Sequence, residues 1–180
     1  ISIFRKVRVL FRIETSLFEG LVMEYINVTI RPMTTEDLPS VMEIEHLCFI
    51  DPWREDQFHY EMKENPYSNP WVVELSNSNS DNVAVVGFCI YWQTFDSATI
   101  CQIAVHPGIQ RRQLGSAMMD EIINDCYAKR VQTLTLEVRA SNTQAINFYK
   151  KHGFETVVTK PHYYTDGEDA LYMTRRVDIF

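Results

Sequence analysis

The segment QIAVHPGIQRRQLGSAMM, residues 102–119, decides the fold, because a strand-like run passes through a basic turn directly into a helix-like run. Leu114, Ala117 and Met118 recur at the spacing of one helix face. The N–H groups of a helix's first turn have no partner within the helix and carry about half a positive charge, so a pyrophosphate can dock on them. The segment therefore predicts an anion site, with a solvated basic turn that caps an ordinary helix as the alternative.

The charge of this turn and of the whole chain indicates what kind of partner to expect. Gly115 permits close approach of the backbone to a ligand, and Arg111 and Arg112 add positive charge. The chain of 180 residues is otherwise acidic, with 24 Asp and Glu against 17 Lys and Arg, a formal charge of −7. This balance argues against nonspecific binding to nucleic acids or anionic membranes, so we expect a neutral or cationic partner.

The runs on either side of this segment predict a single α/β domain. Hydrophobic periodicity gives the order β-α-α-β-β-β-α-β-α-β-β, which one layered α/β structure accommodates. Trp71 to Leu75, Val83 to Trp92 and Ala98 to Val105 are typical of successive antiparallel strands at the centre of a sheet. We expect residues 1–22 to be an N-terminal extension and residues 23–180 to form the domain.

Several classes of protein are excluded, because the sequence lacks the patterns that mark them. No apolar run approaches the roughly 18 residues of a membrane span, and the first twenty residues do not have the pattern of a signal peptide. The cysteines lie far apart with no CxxC pair, and the histidines are scattered, so we assign no disulfide framework, no zinc and no other metal. We expect reduced core thiols in the cytoplasm at Cys48, Cys89, Cys101 and Cys126.

The turn Gln110-Arg111-Arg112-Gln113-Leu114-Gly115 resembles the Q/R-x-x-G-x-G/A motif of the GNAT acetyltransferases, in a resemblance that spans Val28 to about Val177. It implies the GNAT fold, a mixed α/β structure whose central, mostly antiparallel sheet has splayed parallel strands and flanking helices. It also implies acetyl-CoA as cosubstrate. The expected contacts are Ile103, Ala104, Val105, Gln110, Arg111, Arg112, Gln113, Leu114, Gly115, Ser116 and Ala117.

Gln113 departs from the motif, since the family has its first glycine at this position. If the backbone there takes a positive φ, glutamine costs strain of order 1 kcal/mol. If φ is negative, nothing is lost.

Two further segments resemble particular groups within the GNAT family. Residues 136–154, LEVRASNTQAINFYKKHGF, are similar to N-terminal acetyltransferases of the ribosomal-protein-alanine (RimI) type, with Glu137, Asn142 and Tyr149 on matching positions. Residues 162–173, HYYTDGEDALYM, look like that group and like the catalytic subunits of NatA-type enzymes. The resemblance implies that Asn142 and Tyr149 bind acetyl-CoA and that the acceptors are protein or peptide N-termini, including those of ribosomal proteins.

Acetyl transfer to an α-amine needs a base and a proton donor. An α-amine with a pKa near 8 is mostly protonated at neutral pH, so Glu137 is the predicted base, acting directly or through water. Tyr149 is the predicted donor to the coenzyme A thiolate, and a backbone N–H near Val105 would meet the oxyanion. The alternatives are a solvated strand face for Glu137 and a helix-packing aromatic for Tyr149.

Recognition of the acceptor rests on the resemblance. It places one loop at the peptide groove and two tyrosines on the opposite wall: Phe49, Asp51, Pro52 and Trp53, then Tyr163 and Tyr164. Phe49 and Trp53 are equally compatible with plain core packing. Two other functions stay open, namely acetylation of another amine (a lysine side chain, a polyamine or an aminoglycoside) and a non-catalytic acyl-CoA-binding module.

Overall fold

The computed structural model of the chain describes residues 5–10, 25–77, 83–109 and 113–177. The predicted order of elements is confirmed from the strand Tyr25–Pro32 onward. The described strands are β1 (Arg5–Leu10), β2 (Tyr25–Pro32), β3 (Ser68–Asn77), β4 (Val83–Thr94), β5 (Ser97–Val105), β6 (Thr133–Arg139), β7 (Glu155–Lys160) and β8 (Ala170–Arg176). The described α-helices are α1 (Leu38–Cys48), α2 (Glu55–Lys63), α3 (Leu114–Ala128) and α4 (Thr143–Lys151). Strand β1 lies within the residues expected to be an extension, and it pairs antiparallel with β2.

The strands follow the order β1-β2-β3-β4-β5-β6-β8-β7 in one sheet. The β2–β3, β6–β8 and β7–β8 pairs are antiparallel, whereas Ser97–Ile100 of β5 run parallel to Thr133–Leu136 of β6. The predicted class, a mixed α/β structure with a mostly antiparallel sheet and a parallel pair, is confirmed.

The chain divides into two compact units, and the first comprises the described parts of Ile1–Asn65, Pro70–Cys89 and Ile103–Gly115. Its apolar core includes Val28, Val41, Val72 and Phe88, all fully buried, as the alternation in β2 and the helical spacing in α1 require. The guanidinium of Arg31 donates to both carboxylate oxygens of Asp37, each at 2.7 Å, and also pairs with Glu74. Asp37 also accepts from the Thr34 N–H as part of a capping box ahead of α1.

The second unit comprises Pro66–Asn69, Ile90–Gln102 and the described part of Ser116–Phe180. Helix α3 buries one face, and α4 ends at Lys151 and is followed by Gly153, whose φ of 81° is the left-handed conformation common after a helix. The buried face of α3 consists of Met118, Met119, Ile122 and Cys126. Within the described residues, no helix is both long enough and apolar enough to cross a membrane.

Candidate active site

Strand β6 presents Glu137 on a face that is only partly open to solvent. Leu134, Leu136 and Val138 are buried on one side of the strand, so Glu137 points to the other. On that other side Thr135 is also buried, and its hydroxyl hydrogen-bonds the hydroxyl of Thr99 at 2.9 Å. The Glu137 side chain is 23% exposed. This strand face is therefore partly buried rather than fully solvated, and the role of Glu137 as the base stays a prediction.

The carboxylate of Glu137 holds a cation that sequence reasoning missed. Lys160 Nζ, at the end of β7, donates to Glu137 Oε1 at 2.7 Å. The same nitrogen lies 5.2 Å from the ring centre of Tyr163 and 4.8 Å from that of Tyr172. The hydrogen bond to Glu137 raises the pKa of Lys160, so its ammonium group is charged at neutral pH. We call Glu137, Lys160, Tyr163 and Tyr172 the Lys160 cluster.

A second cation on the same strand fixes the loop between β7 and β8. Arg139 Nη1 donates to Asp166 Oδ2 at 2.7 Å and to Glu168 Oε2 at 2.9 Å. Its guanidinium carbon lies 4.0 Å from the ring centre of Tyr164. Hydrogen bonds from the side chain and backbone of Ser141, together with Arg139, lower the pKa of Glu168 to about 2. We call Arg139, Tyr164, Asp166 and Glu168 the Arg139 cluster.

Tyr163 and Tyr164, the two tyrosines predicted to line the peptide groove, belong to these two clusters and contact each other. The rings of Tyr163 and Tyr164 meet edge to face, with centroids 5.2 Å apart. Tyr163 is about half exposed, whereas burial raises the pKa of Tyr164 to about 12. The Tyr164 phenol is therefore neutral at physiological pH, and the Tyr163 ring is open to a ligand.

Helix α4 carries the predicted proton donor, Tyr149, and has a side-chain N-cap. Asn142 Oδ1 accepts from the Ala145 N–H at 3.0 Å, so Asn142 is the N-cap of α4. Tyr149 lies in the next turns, buried against Phe148 and Phe154. Burial, with a smaller contribution from Tyr164, raises the pKa of Tyr149. Tyr149 therefore packs against aromatic neighbours, as one interpretation of the sequence expected. Its roles as proton donor and in acetyl-CoA binding stay predictions.

The first unit holds residues 103 to 105, at the end of β5, which are expected to contact acetyl-CoA and the oxyanion. Strand β4 approaches this backbone closely at Gly87, where a Cβ atom would lie 2.8 Å from the carbonyl oxygen of Ala104. Glycine is therefore required at position 87. Past Val105 the chain is tied to β4 again, because the His106 N–H donates to the Val86 carbonyl at 2.8 Å. The backbone expected to contact acetyl-CoA is thus held by its neighbouring strand.

The predicted peptide-groove loop in the first unit is anchored by a buried carboxylate. Glu45 is fully buried in α1, and its Oε1 accepts from the Trp53 N–H at 2.7 Å. Trp53 and Phe49 are half-buried, and the Trp53 ring packs against Phe58 at 5.7 Å. Asp51 is exposed and Pro52 is half-buried. Sequence reasoning missed Glu45, although a glutamate on the apolar face of a helix was a signal that could have found it.

The structure describes the predicted anion-binding turn before α3 only from Gln113 onward. Gln110, Arg111 and Arg112 lie outside the described residues, so their predicted contacts stay predictions. Gln113 is exposed and has a φ of 62°, the case in which glutamine in place of glycine costs strain. Leu114 is buried and Gly115, Ser116 and Ala117 are half-buried, and these four form the first turn of α3. A 15-residue helix that begins directly after such a turn fits an anion site.

Comparison with known proteins identifies the family. The model of the GNAT acetyltransferase family matches residues 38–154. A ribosomal protein bS18-alanine N-acetyltransferase of Escherichia coli K12 is 37% identical over 154 residues, covering 84% of this chain and 99% of that protein. The crystal structure of the corresponding enzyme from Escherichia coli superposes with a TM-score of 0.72 at 33% identity, covering 85% of this chain and 96% of that chain.

A second solved structure gives the same result. Ard1 from Thermoplasma volcanium superposes with a TM-score of 0.73 at 31% identity, covering 84% of this chain and 98% of that chain. The family match covers the strands and helices that carry Glu137, Tyr149 and the turn before α3. The chain therefore belongs to the GNAT family of acetyltransferases.

Proposed function

We propose that this chain transfers the acetyl group of acetyl-CoA to the N-terminal α-amine of proteins, with a ribosomal protein among the candidate acceptors. The observation that carries the proposal is the Glu137 carboxylate, which holds an ammonium nitrogen at 2.7 Å on a partly buried strand face. A carboxylate in this setting can orient an acceptor ammonium and take its proton. The relatives named for acetylation of the bS18 alanine support the choice of acceptor.

The reaction needs no acyl-enzyme, and the acceptor nitrogen loses two protons while the departing thiolate gains one. Glu137 removes a proton from the α-ammonium, directly or through water, and the neutral nitrogen attacks the acetyl carbonyl carbon. The new N–C bond forms, the C–S bond breaks, and the nitrogen loses its second proton to solvent as it becomes an amide. Coenzyme A leaves as a thiolate that takes a proton from the Tyr149 hydroxyl, and solvent then reprotonates Tyr149. The raised pKa of Tyr149 keeps that proton in place at neutral pH but makes transfer to a thiolate of pKa about 8.5 uphill. We therefore assign Tyr149 a smaller contribution to the rate of acetyl transfer than Glu137.

Acetyl-CoA is assigned to the end of β5, the turn before α3 and the start of α4. The backbone of Ile103, Ala104 and Val105 would pair with pantetheine, and the first turn of α3 would receive the pyrophosphate. The strained Gln113 is expected to weaken this affinity relative to a glycine. The same assignment includes Asn142 and the predicted residues Gln110, Arg111 and Arg112.

The acceptor peptide is assigned to the loop of Phe49, Asp51, Pro52 and Trp53 and to Tyr163 and Tyr164. Half-exposed aromatic rings bind an extended peptide at little cost in side-chain entropy. We propose the cytoplasm as the place of action, which the widely separated cysteines support.

The test is acetyl-CoA consumption with short peptides that differ in their first residue, each with a free and a blocked N-terminus, beside free lysine and spermidine. The proposal expects turnover with free peptide N-termini only. Turnover on blocked, lysine-containing peptides or on spermidine would assign another amine. Measurable acetyl-CoA binding with no turnover on any acceptor would instead indicate a non-catalytic binding module.

A further inference from the structure

We propose that Lys160 occupies, in the free protein, the position at Glu137 that the acceptor's ammonium group takes during the reaction, and that a cationic acceptor must displace it. Lys160 is thus a specificity-determining residue. The inference rests on the proposed function, because it assigns Glu137 to the acceptor amine.

The surroundings of Lys160 Nζ are those of an ammonium-binding site. One carboxylate oxygen lies at 2.7 Å, and two aromatic rings lie at 4.8 and 5.2 Å from the nitrogen. Carboxylate and tyrosine faces together attract alkylammonium ions through charge and the ring quadrupole. A primary alkylammonium from a peptide N-terminus meets the same chemical requirements as the lysine head group.

The register of three strands explains how Lys160 reaches Glu137. Glu137 pairs with Tyr172 across β6 and β8, and Lys160 pairs with Ala170 across β7 and β8. Ala170 and Tyr172 are two residues apart, so Lys160 and Glu137 share one face of the sheet. The lysine therefore extends across β8 to the carboxylate, with its ammonium at the end of a flexible four-carbon stem.

The contact is of a kind that a ligand can replace. Lys160 has 38% of its side chain exposed and pairs with a single carboxylate, and ion pairs of this exposure contribute little to stability. Exchange of one ammonium for another leaves the charge at Glu137 unchanged. An acylated N-terminus carries no such charge, so it leaves Lys160 on the base. The arrangement consequently selects acceptors that arrive protonated.

The test compares the Michaelis constants of Lys160→Met and Lys160→Arg, using a peptide that the wild-type protein acetylates. Lys160→Met keeps the stem and removes the competing charge, so KM for the peptide should fall about two- to fivefold, with KM for acetyl-CoA unchanged. Lys160→Arg keeps a cation and should resemble the wild type. An unchanged or raised peptide KM in Lys160→Met, at an unchanged melting temperature, would overturn the inference.

A second measurement uses the wild-type protein and needs no variant. The ¹⁵N-labelled Lys160 ammonium is followed by NMR with coenzyme A present, while a peptide or its des-amino analogue is added. We expect the free peptide to shift or abolish the Lys160 signal and the des-amino analogue to leave it in place. Persistence of the signal at saturating peptide would contradict displacement. Failure of the wild-type protein to acetylate any peptide N-terminus would be a failure of the proposed function instead.

Discussion

The Arg139 and Lys160 clusters both involve one face of β6 and contain the same kinds of side chain. They differ in how exposed the cation is and in how many carboxylates it contacts. Each places a cation on a tyrosine ring and against carboxylate. Arg139 is 13% exposed and joins two loop carboxylates, whereas Lys160 is 38% exposed and joins one. A planar guanidinium with several partners fixes a loop, while a single ammonium on a flexible stem can be exchanged. The comparison indicates that partner number and exposure separate an ion pair that fixes a loop from one that a ligand can replace.

The largest expected effect is at the carboxylate of the Lys160 cluster. Glu137→Gln removes the base and should lower kcat by ~10²–10⁴, because general base catalysis contributes about that much. Steady-state kinetics at saturating acetyl-CoA and peptide measure it. Glu155→Gln, at an exposed glutamate on β7, is the matched control and should retain the wild-type kcat. A Glu137→Gln kcat within about twofold of the wild type would remove the base assignment.

Tyr149 should have a smaller effect. Tyr149→Phe keeps the packing against Phe148 and Phe154 and removes the hydroxyl, so kcat should fall by roughly 10–10² with acetyl-CoA affinity nearly unchanged. Calorimetric titration of acetyl-CoA and steady-state kinetics separate the two quantities. Tyr127→Phe, at an exposed position of α3, is the control. Equal kcat in Tyr149→Phe and Tyr127→Phe would show that Tyr149 serves packing alone.

Arg139 tests the comparison directly, because its removal should act opposite to removal of Lys160. Arg139→Met leaves Asp166 and Glu168 without their shared cation and loosens the loop that carries Tyr163 and Tyr164. Peptide KM should rise about three- to tenfold, since ordering the loop then opposes binding. Arg139→Lys should restore it only in part, because an ammonium lacks the guanidinium fork. A fall in peptide KM in Arg139→Met would mean that the two clusters act alike.

The smallest expected effect is a pH dependence confined to the Arg139 cluster. The folded pKa of Glu168, about 2, lies below its ordinary value of 4.5. The stabilisation that this carboxylate provides is therefore present above about pH 4.5 and is lost as pH falls through about 2. Amide exchange of Ser141, whose N–H donates to Glu168 Oε1 at 2.9 Å, should lose protection over that window. Glu168→Gln should abolish the pH dependence, whereas constant Ser141 protection down to pH 2 in the wild type would contradict it.

Local patterns were sufficient for the order of strands and helices and for the local geometry at two of the predicted site residues. The period-2 alternation around Glu137 and the N-cap chemistry of Asn142 depend on neighbours in sequence, so both could be predicted. The choice between two conformations at Gln113 could not, because the φ of one residue depends on the path of the whole turn.

Lys160 could not be assigned from the sequence because its role depends on strand register. Its partner Glu137 is 23 residues earlier, and the two meet only through the pairing of β7 with β8 and of β8 with β6. The register of β7 on β8 also shifts between Thr156 and Val158, and a shift by one residue moves a side chain to the opposite face. The link between Glu45 and Trp53 likewise depends on how a loop returns to a helix.

The central claim, acetylation of an α-amine, is tested most directly by a single peptide that carries one free N-terminus and one lysine. After incubation with acetyl-CoA at neutral pH, tandem mass spectrometry locates the added acetyl group. The account predicts acetyl on the N-terminal nitrogen with the lysine unmodified, since an α-amine with a pKa near 8 is far easier to deprotonate than a lysine near 10.4. Acetyl on the lysine ε-nitrogen with a free N-terminus would contradict it.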